Sequence, residues 1–414
     1  MSIKPHNKVT GFSGNEIYCL NKLGFSAGQL CLGNNVVALG VARGIGSALS
    51  NLAGGEVTEI TEIVHVGRKN AYDRMVHEAM QYHGIGLAGV SFDLINHAGN
   101  FEFIALGSTI HRKDGAHEKS EQLAFTTSAD AQQLYCQLDS GFTPRSFVFG
   151  NVAYSIGVGG NIKGAFRSLA RGEVRQYSEI FDRTRHLALN RIISEAKAVK
   201  ANAVLGIETS ILPLLGVQEM IMIGTASHHP AFASDTTGIV TSDLTNEELW
   251  NLVNIGYLPL RLVMGVSVYS LGLSSGIASG LKSLIGGEVK NLTELLYEAR
   301  EKAFARVQED AQRCGADEVV GVKTRVYDLG GGLVEFMVIG TAVKKVAGIT
   351  TRHPELPPQA IIKDEETFFD SSDGDNITFS KGRSASARQT QLGPIHIIVL
   401  VIIAVLYLSH KFFR

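Results

Sequence analysis

The stretch SLIGGEVKNL, Ser283 to Leu292, places two glycines and a carboxylate between two runs of helical periodicity, where a chain is expected to turn. Taken alone, Glu288 beside Gly-Gly reads as a solvated turn residue. The chain, however, repeats the phrase. NLAGGEVTEI ends at Ile60 and SLARGEVRQY at Tyr177, so Glu56, Glu173 and Glu288 stand 117 and 115 residues apart. A fixed period outranks any local reading, because it defines the unit that folds.

Other landmarks keep the same register. Gly24-Phe25, Gly141-Phe142 and Gly256-Tyr257 open the units, Gly33, Gly150 and Gly265 recur inside an apolar run, and Gly89, Gly206 and Gly321 follow each glutamate by 33 residues. The closing phrases are EFIALGS, EMIMIGT and EFMVIGT. In the third unit RLVMGVSVYSLG reads as a strand with a kink or bulge at Gly265. Ile277, Leu281 and Leu284 then form a helical stripe, matched by Ile45, Leu49 and Leu52 and by Ile162, Phe166 and Leu169. That short helix stops at the glycines. A longer helix follows over about 292–314, with Leu292, Leu296, Ala299, Ala303, Val307, Ala311 and Cys314 on one face. Two strands joined by hairpin-turn chemistry complete the unit.

The fold class expected is therefore α+β: three tandem β-α-α-β-β units, each a small sheet covered on one face by helices. A short capped helix precedes each unit, as at Ser13/Glu16 and Thr245/Glu248. The boundaries read are 8–114, 121–231 and 238–345 for the repeats, 346–391 for a flexible linker and 392–413 for a C-terminal transmembrane anchor.

Composition bounds the function. With 45% hydrophobic and 19% charged residues the chain is an ordinary globular mixture, and a net charge of −2 with scattered Lys and Arg gives no footprint for nucleic acid. Cys19, Cys31, Cys136 and Cys314 show neither CxxC spacing nor companion histidines, which points to a reducing compartment and no structural zinc. The linker carries Pro354, Pro357 and Pro358, then an acidic patch, then a basic serine-rich run, the composition of a tether. Beyond it Ile395 to Leu408 is almost wholly apolar, with Ile395, Leu400, Ile403 and Leu408 facing lipid in a single-pass tail anchor. The expected location is a membrane, bacterial inner membrane, with the head on the cytoplasmic side.

In the third unit, AREKAFARVQEDAQRCGADEVVGVKTRVYD followed by VIGTAVKK resembles the YbjQ family, small bacterial proteins that carry a heavy-metal-binding label. The first two units keep the spacing and lose much of the wording. The resemblance implies an open α+β fold that assembles into rings, pentamers among them, with no established enzymatic activity. A metal ion is implied by the family label only; no cofactor is predicted. His228-His229 before Pro230 is the one candidate ligand pair, and it reads as a solvated loop, since a transition-metal site needs three or four convergent ligands.

Comparison of the three copies isolates charged positions. Arg74/Glu78, Arg191/Glu195 and Arg306/Asp310 are i, i+4 pairs, read as helix stabilisers. Arg68, Arg185 and Arg300 share one helix position, and Glu102, Glu219 and Glu335 open the closing strand. With Glu56, Glu173 and Glu288 they form two carboxylates and one guanidinium per unit, an interface network between units or subunits. Glu288 is expected to face an arginine such as Arg300. No catalytic motif is found: GVARGIG and GVGGN imitate phosphate loops without the lysine or acid that must follow. The reading is a tail-anchored scaffold or binding module with a self-assembling, ring-forming head. A metal- or ligand-binding sensor is the alternative, and an enzyme using the repeated Glu and Arg ranks below it.

Overall fold

In a computed structural model the structure describes residues 8–38, 55–97, 100–114, 122–155, 172–214, 217–232, 238–270, 290–330, 333–362 and 377–378. The first unit contains α1 (Gly14–Lys22), β1 (Phe25–Ala38), β2 (Gly55–Glu56), α2 (Thr58–Gln81), β3 (Gly86–His97) and β4 (Asn100–Arg112). The second contains β5 (Phe125–Thr126), α3 (Ala131–Asp139), β6 (Thr143–Ser155), β7 (Gly172–Glu173), α4 (Arg175–Ala198), β8 (Ala203–Leu214) and β9 (Val217–His228). The third contains β10 (Val240–Thr241), α5 (Asn246–Asn254), β11 (Tyr257–Ser270), α6 (Lys290–Arg313), β12 (Glu318–Gly330) and β13 (Leu333–Lys345), with a short strand β14 (Ile377–Thr378) beyond. The stripes at 45–52, 162–169 and 277–284 lie outside the described residues.

Each sheet pairs its three long strands antiparallel, with the closing strand in the middle: β1-β4-β3, β6-β9-β8 and β11-β13-β12. The three long helices are 24 residues each. Helices α1, α3 and α5 all start with a full capping box, Ser13/Glu16, Asp130/Gln133 and Thr245/Glu248, which fixes where each helix begins.

The repeated glycines serve two different needs. Gly89, Gly206 and Gly321 adopt positive φ where the β3/β4, β8/β9 and β12/β13 ladders slip, so they are the bulge residues. Gly33, Gly150 and Gly265, expected at a kink, are instead contact points. A Cβ at Gly150 would run into the backbone of Ala188 and Ile192, and one at Gly265 into the Ala303 carbonyl. The long helix lies directly on the first strand there.

The sheets depart from the expected covering on one face. In the second sheet Val148, Val152, Met220 and Met222 pack towards α4, whereas Phe147, Phe149, Ile221 and Ile223 share a core with Val64, Ala71 and Met75 of α2. The third sheet repeats this. Val263, Tyr269, Phe336 and Val338 face α6, and Leu262, Met264, Met337 and Ile339 join the core around α4. Both internal sheets are thus sandwiched between their own helix and the preceding unit's helix. This also explains why one apolar stripe does not describe α6: Ala299, Ala303, Val307 and Ala311 are buried on the home sheet, while Leu296 sits to the side, only half-buried.

Residues 346–362, read from composition as the start of a tether, form an ordered strap over the capping helices. Asn254 Nδ2 donates to the Pro354 carbonyl, Gln132 Nε2 to that of Ile362 and Asn15 Nδ2 to the same oxygen. Ala360 is buried with Cys19, Tyr135, Cys136 and Trp250. Proline-rich chain carries few backbone donors of its own, and amide side chains on the three helices satisfy its carbonyls.

The expected membrane location is corrected here. Among the described residues no helix is long and apolar enough to cross a membrane. The 24-residue helices carry charged positions throughout, as in KNLTELLYEAREKAFARVQEDAQR. The segment 392–413 assigned to an anchor, with Ile395, Leu400, Ile403 and Leu408, lies outside the described residues.

Candidate assembly interface

The recurrent charges resolve into two separate contacts, each made across units. Arg68 on α2 points through the shared core to Glu219 on β9, with both carboxylate oxygens engaged by the guanidinium and the second bond at 2.8 Å. Both side chains are buried. One unit further on, Arg185 on α4 donates from Nη2 to both oxygens of Glu335 on β13 at 2.9 Å, and from Nε at 3.3 Å. Arg185 also donates to the Tyr154 hydroxyl at 2.7 Å and lies 4.4 Å from the Tyr154 ring.

Burial and pairing act in opposite directions on the two ions. Burial alone would lower the Arg185 pKa, yet the Glu335 carboxylate and the Tyr154 hydroxyl raise it above the usual arginine value. Burial pushes the Glu335 carboxyl above its ordinary range despite Arg185. The pair is stable only as a pair, since either ion alone in that core would be uncompensated.

The second contact is at the sheet edge. The Gly-Glu phrase does not pair within its own sheet: Gly55–Glu56 adds antiparallel to Tyr154–Ser155 of β6, and Gly172–Glu173 to Tyr269–Ser270 of β11. Gly55 and Gly172 take positive φ there, the glycine need that the repeat announces. Arg191 then reaches Glu56 at 2.7 Å, and Arg306 reaches Glu173 at the same distance. Burial and the Arg306 bond act oppositely on Glu173, and its pKa ends below the ordinary carboxylate value.

The spacing of Arg74, Arg191 and Arg306 predicts i, i+4 pairs along one helix. They turn outward to the strand instead. Arg191 also donates to the Asn151 carbonyl, Glu195 accepts from the Phe149 N–H at 2.9 Å, and Arg74 and Arg306 bind the Asn34 and Val266 carbonyls. The long helix thereby covers the open edge of the first strand on either side of its glycine. Hydroxyls missed in the sequence complete the contact: Ala153 N–H donates to Thr61 Oγ1 and Val268 N–H to Ser178 Oγ, both at 2.9 Å. Their shared offset was visible in the alignment of copies, but Thr and Ser differ in letter and so did not register as one position.

The remaining sequence candidates lie at the ends of the array. Arg300 on α6 is exposed, and Glu102 on β4 accepts from Asn34 Nδ2 at 2.8 Å and pairs with His97 Nε2 at 2.7 Å. Those hydrogen bonds hold Glu102 below the usual carboxylate range. Glu288 lies outside the described residues.

His229 is not in a solvated loop. Its ring is buried against Phe142 and Phe232, with centroids 4.4 and 5.3 Å away, and its Nδ1 accepts from the Ala231 N–H. Burial lowers its pKa, so the ring is neutral and serves as packing. His228, at the end of β9, is half-buried. Among the described residues no group of three or more His, Cys, Asp or Glu side chains is placed to hold a metal ion. The donor set therefore does not fit a metal at this pair.

Comparison with known proteins agrees with the repeat. Residues 25–111, 143–229 and 257–346 each match the model of a family described as "Putative heavy-metal-binding". A UPF0145 protein of Thermosipho melanesiensis is 43% identical over 83 residues, covering 20% of this chain and 77% of its own. One from Lacticaseibacillus casei is 39% identical over 94 residues, 23% of this chain and 87% of the relative. The match is longer for the encapsulin nanocompartment protein Rv1762c of Mycobacterium tuberculosis, 30% identical over 244 residues, 56% of this chain and 90% of that protein.

Proposed function

We propose that this chain, which belongs to the YbjQ family, is an assembly module and not a catalyst, its three units (8–114, 121–231 and 238–345) forming one layer of a larger homo-oligomer. The observation that carries the reading is the repeated contact itself. Arg68–Glu219 and Arg185–Glu335, with Glu56–Arg191 and Glu173–Arg306 beside them, spend the recurrent charges on joining units. A general acid or base needs a carboxylate that faces substrate with its proton free to move. Glu219 and Glu335 face a guanidinium in a closed core.

The name of the mycobacterial relative, an encapsulin nanocompartment protein, supports a scaffold role. The side-by-side contact favours units sharing one layer over three stacked rings of five. Sedimentation of the full-length chain tests the proposal. Multiples of the 44.5 kDa chain mass are expected at micromolar concentration, and a strict monomer refutes it.

A further inference from the structure

The same contact is made twice inside the chain, and each end of the array carries one half of it with no neighbouring unit against it. We propose, building on the assembly reading, that the outer face of α6 docks on the outer face of the first sheet of a second copy of this chain, with Arg300 seated on Glu102.

The helix half is complete in kind. At the positions of Phe181, Arg185 and Leu189 on α4, all buried, α6 has Leu296, Arg300 and Phe304, the first and last half-buried and Arg300 exposed. Tyr297, 60% exposed, occupies the position of His65, whose ring packs 4.9 Å from Phe149 of the next sheet.

The sheet half matches it. Leu32 and Val36 are 50% and 56% exposed, although their counterparts Phe149, Ala153, Met264 and Val268 are at most 2% exposed. Glu102 stands where Glu219 and Glu335 receive their arginine. The sequence treats this end differently in one respect: His97, paired with Glu102, replaces the apolar Leu214 of the second unit. An imidazole with half its side chain in solvent holds a carboxylate that would otherwise face water or an incoming cation. An exposed aliphatic strip beside an anion is complementary to an exposed apolar helix face beside a cation. The occupant follows from continuity with the two internal contacts, which already show what this helix face and this sheet face do when they meet.

The contact is heterologous, so it closes into a ring if the turn per unit permits and otherwise extends as a filament. Chains of three units tile a closed layer only in multiples of three, so two chains would place six units in one ring and a layer of five is excluded.

The test is charge reversal in the full-length chain, sedimented from nanomolar to micromolar concentration in one non-ionic detergent buffer that keeps the apolar 395–408 stretch from associating. Arg300→Glu and Glu102→Arg should each weaken self-association at least about 30-fold, while the two variants mixed, or combined in one chain, should restore it. Leu32→Ser, at an exposed position whose cross-strand partner is Leu106 and not Glu102, should weaken it and leaves both charges in place. Unchanged melting temperatures show that the variants fold. An oligomer that none of these variants weakens, or a double variant as weak as the singles, overturns this docking and leaves the assembly proposal standing; a monomeric wild type overturns both.

Discussion

Removing Arg185 tests the energetic logic of the internal contact. Its guanidinium and the Glu335 carboxylate are both fully buried, with three hydrogen bonds between them and a fourth to Tyr154. Arg185→Met fills much of the same space and leaves Glu335 without its counter-charge. Breaking one partner of such a pair costs about 3–5 kcal/mol. Against a total stability of about 5–15 kcal/mol, that is a large share. Replacing both, Arg185→Met with Glu335→Leu, removes the uncompensated charge. The double variant should then lie within about 2 kcal/mol of wild type, most of the residue being the Tyr154 hydroxyl that loses its donor.

The lone tryptophan, Trp250, is buried in the third unit and reports urea unfolding by fluorescence, with circular dichroism checking that the transition is shared. The pH dependence gives a second readout. Glu335 has a raised folded-state pKa, so its protonated form is favoured by folding, and stability present at low pH is lost as pH rises through that value. The deficit of Arg185→Met should therefore shrink on acidification. A single variant costing under about 1 kcal/mol, or a double variant costing the sum of both singles, refutes the claim that the pair stands or falls together.

Glu195 is pushed up to about 6 by burial, so its ionisation opposes folding and stability is lost as pH rises from about 4.5 through 6. Glu195→Gln keeps an acceptor for Phe149 N–H and should gain about 1–2 kcal/mol at pH 7.5, flattening that slope in urea titrations at stepped pH. Gly150→Ala places a methyl against the α4 backbone and should cost at least about 2 kcal/mol, read as a lower urea midpoint with an unchanged slope. Asp139 accepts from Trp250 Nε1 at 2.7 Å and pairs with His353 of the strap. Asp139→Ala should speed amide exchange over 352–362 while leaving the three sheets protected, seen by hydrogen exchange mass spectrometry.

Much of the unit was legible. The 24-residue helix, the closing strand and two of the three capping boxes follow from periodicity and from short-range hydrogen-bond chemistry. The third capped helix follows from the repeat, although its box, Asp130/Gln133, uses a less familiar pair of letters. The bulge was assigned to the wrong glycine. Gly265 and Gly321 look alike in a strand, and only the backbone shows that the first admits a helix while the second turns φ positive. The strap was misjudged because its proline-rich composition resembles that of a tether, and its partners Asn15, Gln132 and Asn254 are scattered over 240 residues. The histidine pair was placed in solvent because two adjacent histidines before a proline carry no apolar pattern, although Phe142 and Phe232 enclose one of them.

The sequence by itself determined that three like units exist and which charges recur in all of them: copies within one chain drift independently, and positions under a common physical constraint drift least. It could not determine partners. Burial periodicity says that a side chain leaves water, and only the spatial relation between units says what it meets there. That relation put Arg68 on Glu219 and Arg185 on Glu335, one unit along, and put Glu56 and Glu173 on the arginines of the following helix. The glutamate of the GGEV phrase thus ceased to be a turn residue because its strand belongs to the neighbouring sheet, a fact held in no stretch of sequence shorter than two units.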